Sequence, residues 1–466
     1  VTHDLAQTPG DNAIRNPQLA IRNSRVLVLA EACNPDWTSV PLEGWSHYRA
    51  IARLCDAHLV TQVRNREAIL KQGLNEGKDF TAIDTESVAG PMEKLGNLLR
   101  GGKGRGWTTK MALMRFRQGA FEKKAWETFE GSIAKCEMRN AKSQNSESDF
   151  AIRNSQFEII HQLTPLSPTI PPKIASWCKR AGVPFVWGPI NGGLAWPPGY
   201  AKELAQEREF LAKLRGLHRF LPGYHAARRD ASAILIGSRA TWDQMPERYR
   251  DKCFYLPENA IDPARFTARR ERTAQRPIRC VFLGRLVPYK GAMMLLRAIA
   301  PLLKHGDVTL DIVGDGPQRA ELEAFSRELP GVTFHGNVDH ARVQHVLAQS
   351  DLLTFPSIRE FGGAVACEAM AVGCVPVVPA YGGLGEIVTH ETGFLLPMAG
   401  PDELVASLRE LIARLVANPH EIDERSPRAI ARAREVFTWD AKAEQVKRVY
   451  AWLLGKGEKP ATDLMV

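Results

Sequence analysis

The feature that most constrains this chain is a rhythm that runs once and then starts again. Continuous apolar runs of four to six residues alternate with helical stretches. The first series holds 25–30, 58–63, 157–160, 184–187 and 233–236. Beyond about residue 250 it resumes with 253–256, 280–283, 310–313, 332–334, 352–355, 375–378 and 393–396, with helices such as 291–303 and 317–328 between them. Unbroken apolar runs of this length, separated by helices, predict parallel strands buried on both faces. Two such series predict an α/β protein of two doubly wound, Rossmann-like domains facing a central cleft, where the carboxyl ends of open sheets bind ligands. The 466 residues suit this count, being too many for one core.

The boundaries read as a polar leader at 1–24, an N-terminal domain at 25–245 and a C-terminal domain at 246–435. A terminal helix at 436–455 and a tail at 456–466 follow. A polar insertion at about 141–152 is read as a surface excursion. Hydrophobic residues make up 44% and charged residues 24%, which excludes collagen-like, mucin-like and wholly disordered classes. Eight cysteines stand apart with no CxxC pair, several inside apolar runs, so neither a disulfide frame nor a zinc site is expected. The first residues lack the pattern of a signal peptide, and no apolar run reaches the roughly 18 residues of a membrane span. A cytoplasmic location is expected, with peripheral contact at the inner membrane face left open. The net charge of +9 favours an anionic partner or is merely incidental. Between 94 and 121 lie seven basic and no acidic residues, interleaved with Leu98, Trp107, Met111 and Phe116. That pattern fits either an interfacial membrane segment or a solvated basic helix face.

Four segments carry chemistry. Strand 352–355 runs into a loop with Glu360, Phe361, Gly362 and Gly363, then a helix from Ala364 through Glu368 to Gly373. A helix N-terminus offers free N–H groups and a positive dipole end to an anion. Glu360 and Glu368, on either side of that anion site, can grip hydroxyls at two ends of one ligand, as a nucleotide sugar requires. Strand 280–283 leads to Gly284, Arg285, Lys290 and Gly291; a forked guanidinium and a mobile ammonium suit a departing diphosphate. Gly314, Asp315 and Gly316 form a turn where a flat base can approach the backbone. In the N-terminal half, the segment from Glu31 to Trp45 contains Gly44, placed to touch the diphosphate from the opposite domain. His161 ends its apolar run, where it could face the cleft or serve a structural role. Asp-x-Asp, the P-loop pattern and GxGxxG after the first strand are all missing, which argues against a carboxylate-held metal, a P-loop enzyme and a dehydrogenase.

From about residue 25 to 455 these segments resemble the retaining glycosyltransferases of family 4, of GT-B fold. Glu360 to Glu368 is similar to that family's E-x7-E signature, Gly284-Arg285 with Lys290-Gly291 to its GR…KG turn, and Pro257 to Asp262 to its PNGVD segment. Phe437-Thr438-Trp439 is similar to its closing FSW. The interior Phe-Gly-Gly departs from the commoner Gly-Phe-Gly, and His161-Gln-Leu from His-x-His. The resemblance implies that Arg285 and Lys290 contact the diphosphate, Glu368 the ribose and Glu360 the donor sugar. It also implies that the N–H groups of 361–364 lie near sugar and phosphate, with 314–316 near the base. It implies front-face transfer with retention, no metal, no cofactor beyond a UDP- or GDP-sugar substrate, a glycan or lipid-linked acceptor, no nucleic acid, and a last helix that crosses back to the N-terminal domain. A non-catalytic nucleotide- or membrane-binding protein on the same scaffold, or another GT-B enzyme, stands as the alternative.

Overall fold

The computed structural model describes residues 21–92, 107–132, 157–206, 218–220, 222–271 and 273–465, and of 107–113 and 340 the backbone alone. The leader up to residue 20, the insertion at 141–152 and the part of the basic segment before 107 lie outside the described residues. Among the described residues, thirteen strands form two all-parallel sheets. The first has seven, in the order β3-β2-β1-β4-β5-β6-β7: β1 Arg25–Ala30, β2 Asp56–Gln62, β3 Phe80–Ile83, β4 Ile159–Thr164, β5 Phe185–Ile190, β6 Ala233–Ile236 and β7 Cys253–Tyr255. The second has six, in the order β10-β9-β8-β11-β12-β13: β8 Ile278–Leu283, β9 Val308–Val313, β10 Val332–Gly336, β11 Leu352–Thr354, β12 Val375–Pro379 and β13 Phe394–Leu396. Each sheet reverses its order beside its first strand, which opens a crevice at the carboxyl ends.

β1 shows why the runs are continuously apolar. Val26, Val28 and Ala30 enter one buried layer, and Leu27 and Leu29 enter the other. A strand covered on both faces has no solvent side on which to place polar residues. Each fully buried aliphatic side chain contributes about 1.5–3 kcal/mol.

The helices that bear on the crevice are α1 Val40–Ala52, α2 Trp107–Phe129, α3 Ile174–Ala181, α4 Ala292–Lys304, α5 Arg319–Ser326, α6 Ala364–Val372, α7 Gly382–Ile387, α8 Pro401–Ala417, α9 His420–Val436 and α10 Trp439–Leu453. Thr438 caps α10 by accepting from the Ala441 N–H, and the helix carries Val446, Val449 and Tyr450 back into the first domain's core. The outgoing and returning crossovers run side by side: Ile261 N–H donates to Phe437 O at 2.7 Å, and Trp439 N–H to Ile261 O at 3.2 Å.

Three boundaries differ from the expectation. Cys253–Tyr255 pairs in parallel with β6, so it closes the first sheet and the domain border falls after Leu256, not at 246. A lone apolar run cannot say which sheet it joins; pairing decides. The leader ends early, because Ile21 and Ser24 are buried. The tail is not free: Tyr255 N–H donates to Thr462 O, Leu464 N–H donates to Tyr255 O, and Leu464 is buried.

Candidate active site

The second domain assembles its part from three loops. Gly284 N–H donates to Val313 O at 3.0 Å, Leu286 N–H to Asp315 O at 3.0 Å, and Gln318 N–H to Leu286 O at 3.1 Å. Gly314 sits at φ 125°, and a Cβ there would strike the Gly284 carbonyl; one on Gly316 would strike the Leu286 carbonyl. These glycines are required by the close approach of two backbones. The result places Arg285, exposed and without an ion pair among the described residues, beside the 314–316 turn. Asp315 turns its own Oδ1 to the Gly316 N–H at 2.7 Å.

The turn Pro288–Lys290 rests on the next loop. Ile358 N–H donates to Tyr289 O at 2.9 Å, and Gly291, at φ 84°, packs on the Pro356 carbonyl. This seats the Lys290 ammonium 5.3 Å from the Phe355 ring centre and in an ion pair with Glu360. Gly363, at φ 65°, opens α6, and Gly373, at φ 90°, closes it. Glu368 is half-buried on the second turn of that helix. Gly383 N–H donates to the Glu360 carbonyl at 2.9 Å, which pins α7 to the same loop. Arg359 lies between the Trp196 ring at 5.0 Å and the Phe361 ring at 4.9 Å, so a first-domain loop closes directly on this one. The Tyr381 hydroxyl, donating to Ala195 O at 2.9 Å, and the Tyr200 hydroxyl, donating to Ala399 O at 3.0 Å, fasten the same junction.

The first domain answers with different residues from those expected. His161 does not end its strand: β4 continues to Thr164, and His161 pairs in register between Val28 and Val186. It is fully buried, with Nδ1 2.5 Å from the Tyr450 hydroxyl and Nε2 2.7 Å from the Gly188 carbonyl. Burial pushes its pKa down to about 4, so it is neutral at pH 7, giving Nε2–H to Gly188 O and accepting from Tyr450. Both nitrogens are occupied inside the sheet, and no face is left for a substrate. Gly44 is likewise no loop residue. It stands in the first turns of α1, and a Cβ there would strike the Ala32 carbonyl and reach within 3.0 Å of Thr164 Cγ2. Its lack of a side chain seats the helix on the strand ends.

Its neighbour Glu43 has the chemical importance instead. Burial first, and then the Glu360 charge, push its pKa up to about 7. Glu258, on the outgoing crossover, is pushed well above the carboxylate range by burial, with the charges of Glu43, Glu360 and Glu386 adding to it. Three acids, Glu43, Glu258 and Glu360, thus face one another across the domain junction, with Lys290 engaged by the third. Nearby, His47 is held neutral by burial, which pushes it down to about 3, and its Nε2 lies 3.1 Å from the Glu258 carbonyl. Glu43 and Glu258 carry no local signal beyond an acid beside a glycine and an acid at the exit of a buried strand.

Among the described residues no group of three or more His, Cys, Asp or Glu side chains is arranged to hold a metal ion, and no helix is long and apolar enough to cross a membrane. Of the basic segment, Arg117 pairs with Glu31 and Arg115 donates to Pro222 O at 3.0 Å, so both turn inward, while Phe116 is exposed.

Residues 277–414 match the family described as Glycosyl transferases group 1. Glycogen synthase of Mycobacterium tuberculosis is 33% identical over 231 residues, 48% of this chain and 54% of that protein. The GDP-mannose-dependent alpha-(1-6)-phosphatidylinositol dimannoside mannosyltransferase of the same organism is 35% identical over 166 residues, 35% of this chain and 41% of its own. The chain therefore spans about half the length of the relatives it matches. In three dimensions, Anabaena HepE in complex with UDP and glucose superposes with a TM-score of 0.56 at 17% identity, covering 92% of this chain and 100% of that one. The two parallel-sheet domains have the GT-B architecture.

Proposed function

We propose that this chain is a retaining glycosyltransferase that moves a sugar from a UDP- or GDP-sugar to a glycan or lipid-linked acceptor, in polysaccharide or glycoconjugate assembly. The observation that carries the reading is the Lys290–Glu360 ion pair at the mouth of α6, beside the laced loops that present Arg285. In the free protein the two charges satisfy each other. A diphosphate would draw Lys290 and Arg285 to its oxygens and release Glu360 to the sugar. The N–H groups of 361–364, at the positive end of α6, add to the anion's stabilisation. Glu368, within the same helix, takes the ribose hydroxyls, and the 314–316 backbone lies against the base.

Retention follows from front-face attack: the acceptor oxygen forms the new bond on the face the diphosphate leaves, and the leaving phosphate oxygen takes the acceptor's proton. This route asks for charge stabilisation rather than a protein nucleophile, and for no metal beyond the two cations. The relatives support the donor class, since one is named for GDP-mannose and a structural neighbour holds UDP. Opening about the paired crossovers would admit the donor, and closure would return Glu43 and Glu360 to their facing positions over it. Peripheral membrane contact through 94–121 rests on the exposed Phe116 and is tested by liposome flotation of wild type against Phe116→Ser.

The deciding experiment is a thermal-shift screen against UDP-, GDP- and ADP-sugars, since a bound donor raises apparent stability, followed by product analysis of the anomeric configuration. One donor class should stabilise the protein and yield a product that keeps the donor's configuration. Inversion, or turnover unchanged in both Glu360→Ala and Arg285→Ala, would remove the reading.

A further inference from the structure

Glu258 is 6% exposed, and a hydrogen bond from Asn191 satisfies its carboxyl only in part. It stands on the crossover just past β7, beside Asn191 at the end of β5 and Gly237 at the end of β6, over the carboxyl edge of the first sheet. Its Oε1 lies so close to Gly362 that any side chain there would strike it, and the Asn259 amide presses on the same glycine. Its Oε2 is sealed from solvent and has no hydrogen-bond partner among the described residues. Glu43 Oε2, reaching in from α1, is sealed and unpartnered in the same way.

A buried carboxyl with an oxygen left unpartnered is costly, and the fold would be cheaper with an amide or an apolar side chain at either place. Lys290 does not relieve the pair, because it is engaged with Glu360. Burial first, and then the charges of neighbouring acids, push Glu43 and Glu258 upward, and the Asn191 hydrogen bond offsets this only in part at Glu258. A ligand bearing several O–H groups at one edge supplies what is missing. Contact with Gly362 places that ligand against the loop that opens α6, on the donor side of the junction.

We propose that Glu258, backed by Glu43, binds hydroxyls of the donor's pyranose and so decides which sugar the chain accepts. The inference rests on the nucleotide-sugar reading above and adds the residue that reads the sugar. A site built to pair with a hydroxyl rejects the analogue lacking it far more strongly than an apolar pocket rejects a missing methylene.

The test separates sugar from nucleotide. Calorimetry of wild type, Glu258→Gln and Glu43→Gln with UDP, GDP and ADP, and with UDP-glucose, GDP-mannose and ADP-glucose, gives the affinity of each nucleotide sugar relative to its own diphosphate. In Glu258→Gln the diphosphate should bind within about threefold of wild type, showing an intact fold. The matching nucleotide sugar should weaken about tenfold or more, as expected for a hydrogen bond lost inside a site sealed from water. Glu43→Gln should show a smaller loss of the same kind. Wild type should also discriminate among singly deoxygenated forms of its sugar, and Glu258→Gln should lose that discrimination at one hydroxyl. An equal change for sugar and diphosphate, or no change in either, overturns the role of Glu258. Failure of every nucleotide and nucleotide sugar to bind wild type overturns the nucleotide-sugar reading, and this inference with it.

Discussion

The two domains share a fold and treat their ionisable residues in opposite ways. The second keeps Arg285 exposed and Lys290 and Glu360 paired near the surface, all on loops laced by glycines. The first, with the crossover that leaves it, buries His47, His161 and Glu258 and seals a carboxyl oxygen of Glu43, and desolvation pushes the pKa of each toward its neutral form. One half offers ready charge to an anion. The other offers neutral or proton-sharing groups suited to hydroxyls, and His161 among them serves only the sheet. The difference teaches that equivalent topological positions do not carry equivalent chemistry; exposure decides.

That comparison is broken first at the second domain's charges. Arg285→Ala and Glu360→Ala should each lower transfer about 10²–10³-fold with circular dichroism unchanged; retained turnover would show that these loops do not stabilise the leaving group. His161→Ala should do the reverse, costing about 3 kcal/mol of stability by urea denaturation, through a cavity and two lost hydrogen bonds. Turnover of the folded fraction should stay within about threefold of wild type. A large loss of kcat at unchanged stability would restore His161 to the active site.

The helix that returns to the first domain sharpens the contrast. Lys442 of α10 is fully buried, its Nζ has no hydrogen-bond partner among the described residues, and burial pushes its pKa down to about 7. Below pH 7 the unfolded chain binds this proton more tightly than the native state does, so the lysine opposes folding and the effect fades as pH rises through the 7–10 range. Lys442→Met should therefore raise the unfolding free energy read by urea denaturation at pH 7 by about 2 kcal/mol, and flatten the alkaline slope. The buried histidines act on the acid side. With native pKa values of about 4 and about 3, His161 and His47 bind fewer protons than the unfolded chain below pH 6.5. Stability should fall from pH 6.5 to 5 by about 2 kcal/mol for each, and His47→Gln should make the fall shallower. The smallest effect is expected at Gly363, whose φ of 65° disfavours any side chain and whose Cβ would push aside the end of Ile387. Gly363→Ala should cost about 1–2 kcal/mol by thermal melting.

Much of this molecule was legible in one dimension because the requirements were local. A strand covered on both faces must be apolar throughout, so the two sheets could be read from 25–30 and 280–283 onward. A backbone that meets another backbone must be glycine, so Gly284 with Gly314, and Gly291 with Pro356, were legible as turns. Resemblance then added roles for Glu360, Glu368, Arg285 and Lys290. Gly44 misled because the same missing Cβ served helix packing, and His161 misled because its strand ran on past its apolar run to Thr164.

The order of residues fixed which segments become strands, which turns need glycine, and which loops carry cations and acids. Which sheet Cys253–Tyr255 would join, that His161 would be walled in by Tyr450 from the far end of the chain, and that Glu43 and Glu258 would lose their water to each other and to Glu360 were decided only by tertiary packing. The reason is physical: pairing and desolvation depend on residues hundreds of positions apart, and no window of sequence contains both sides of such a contact.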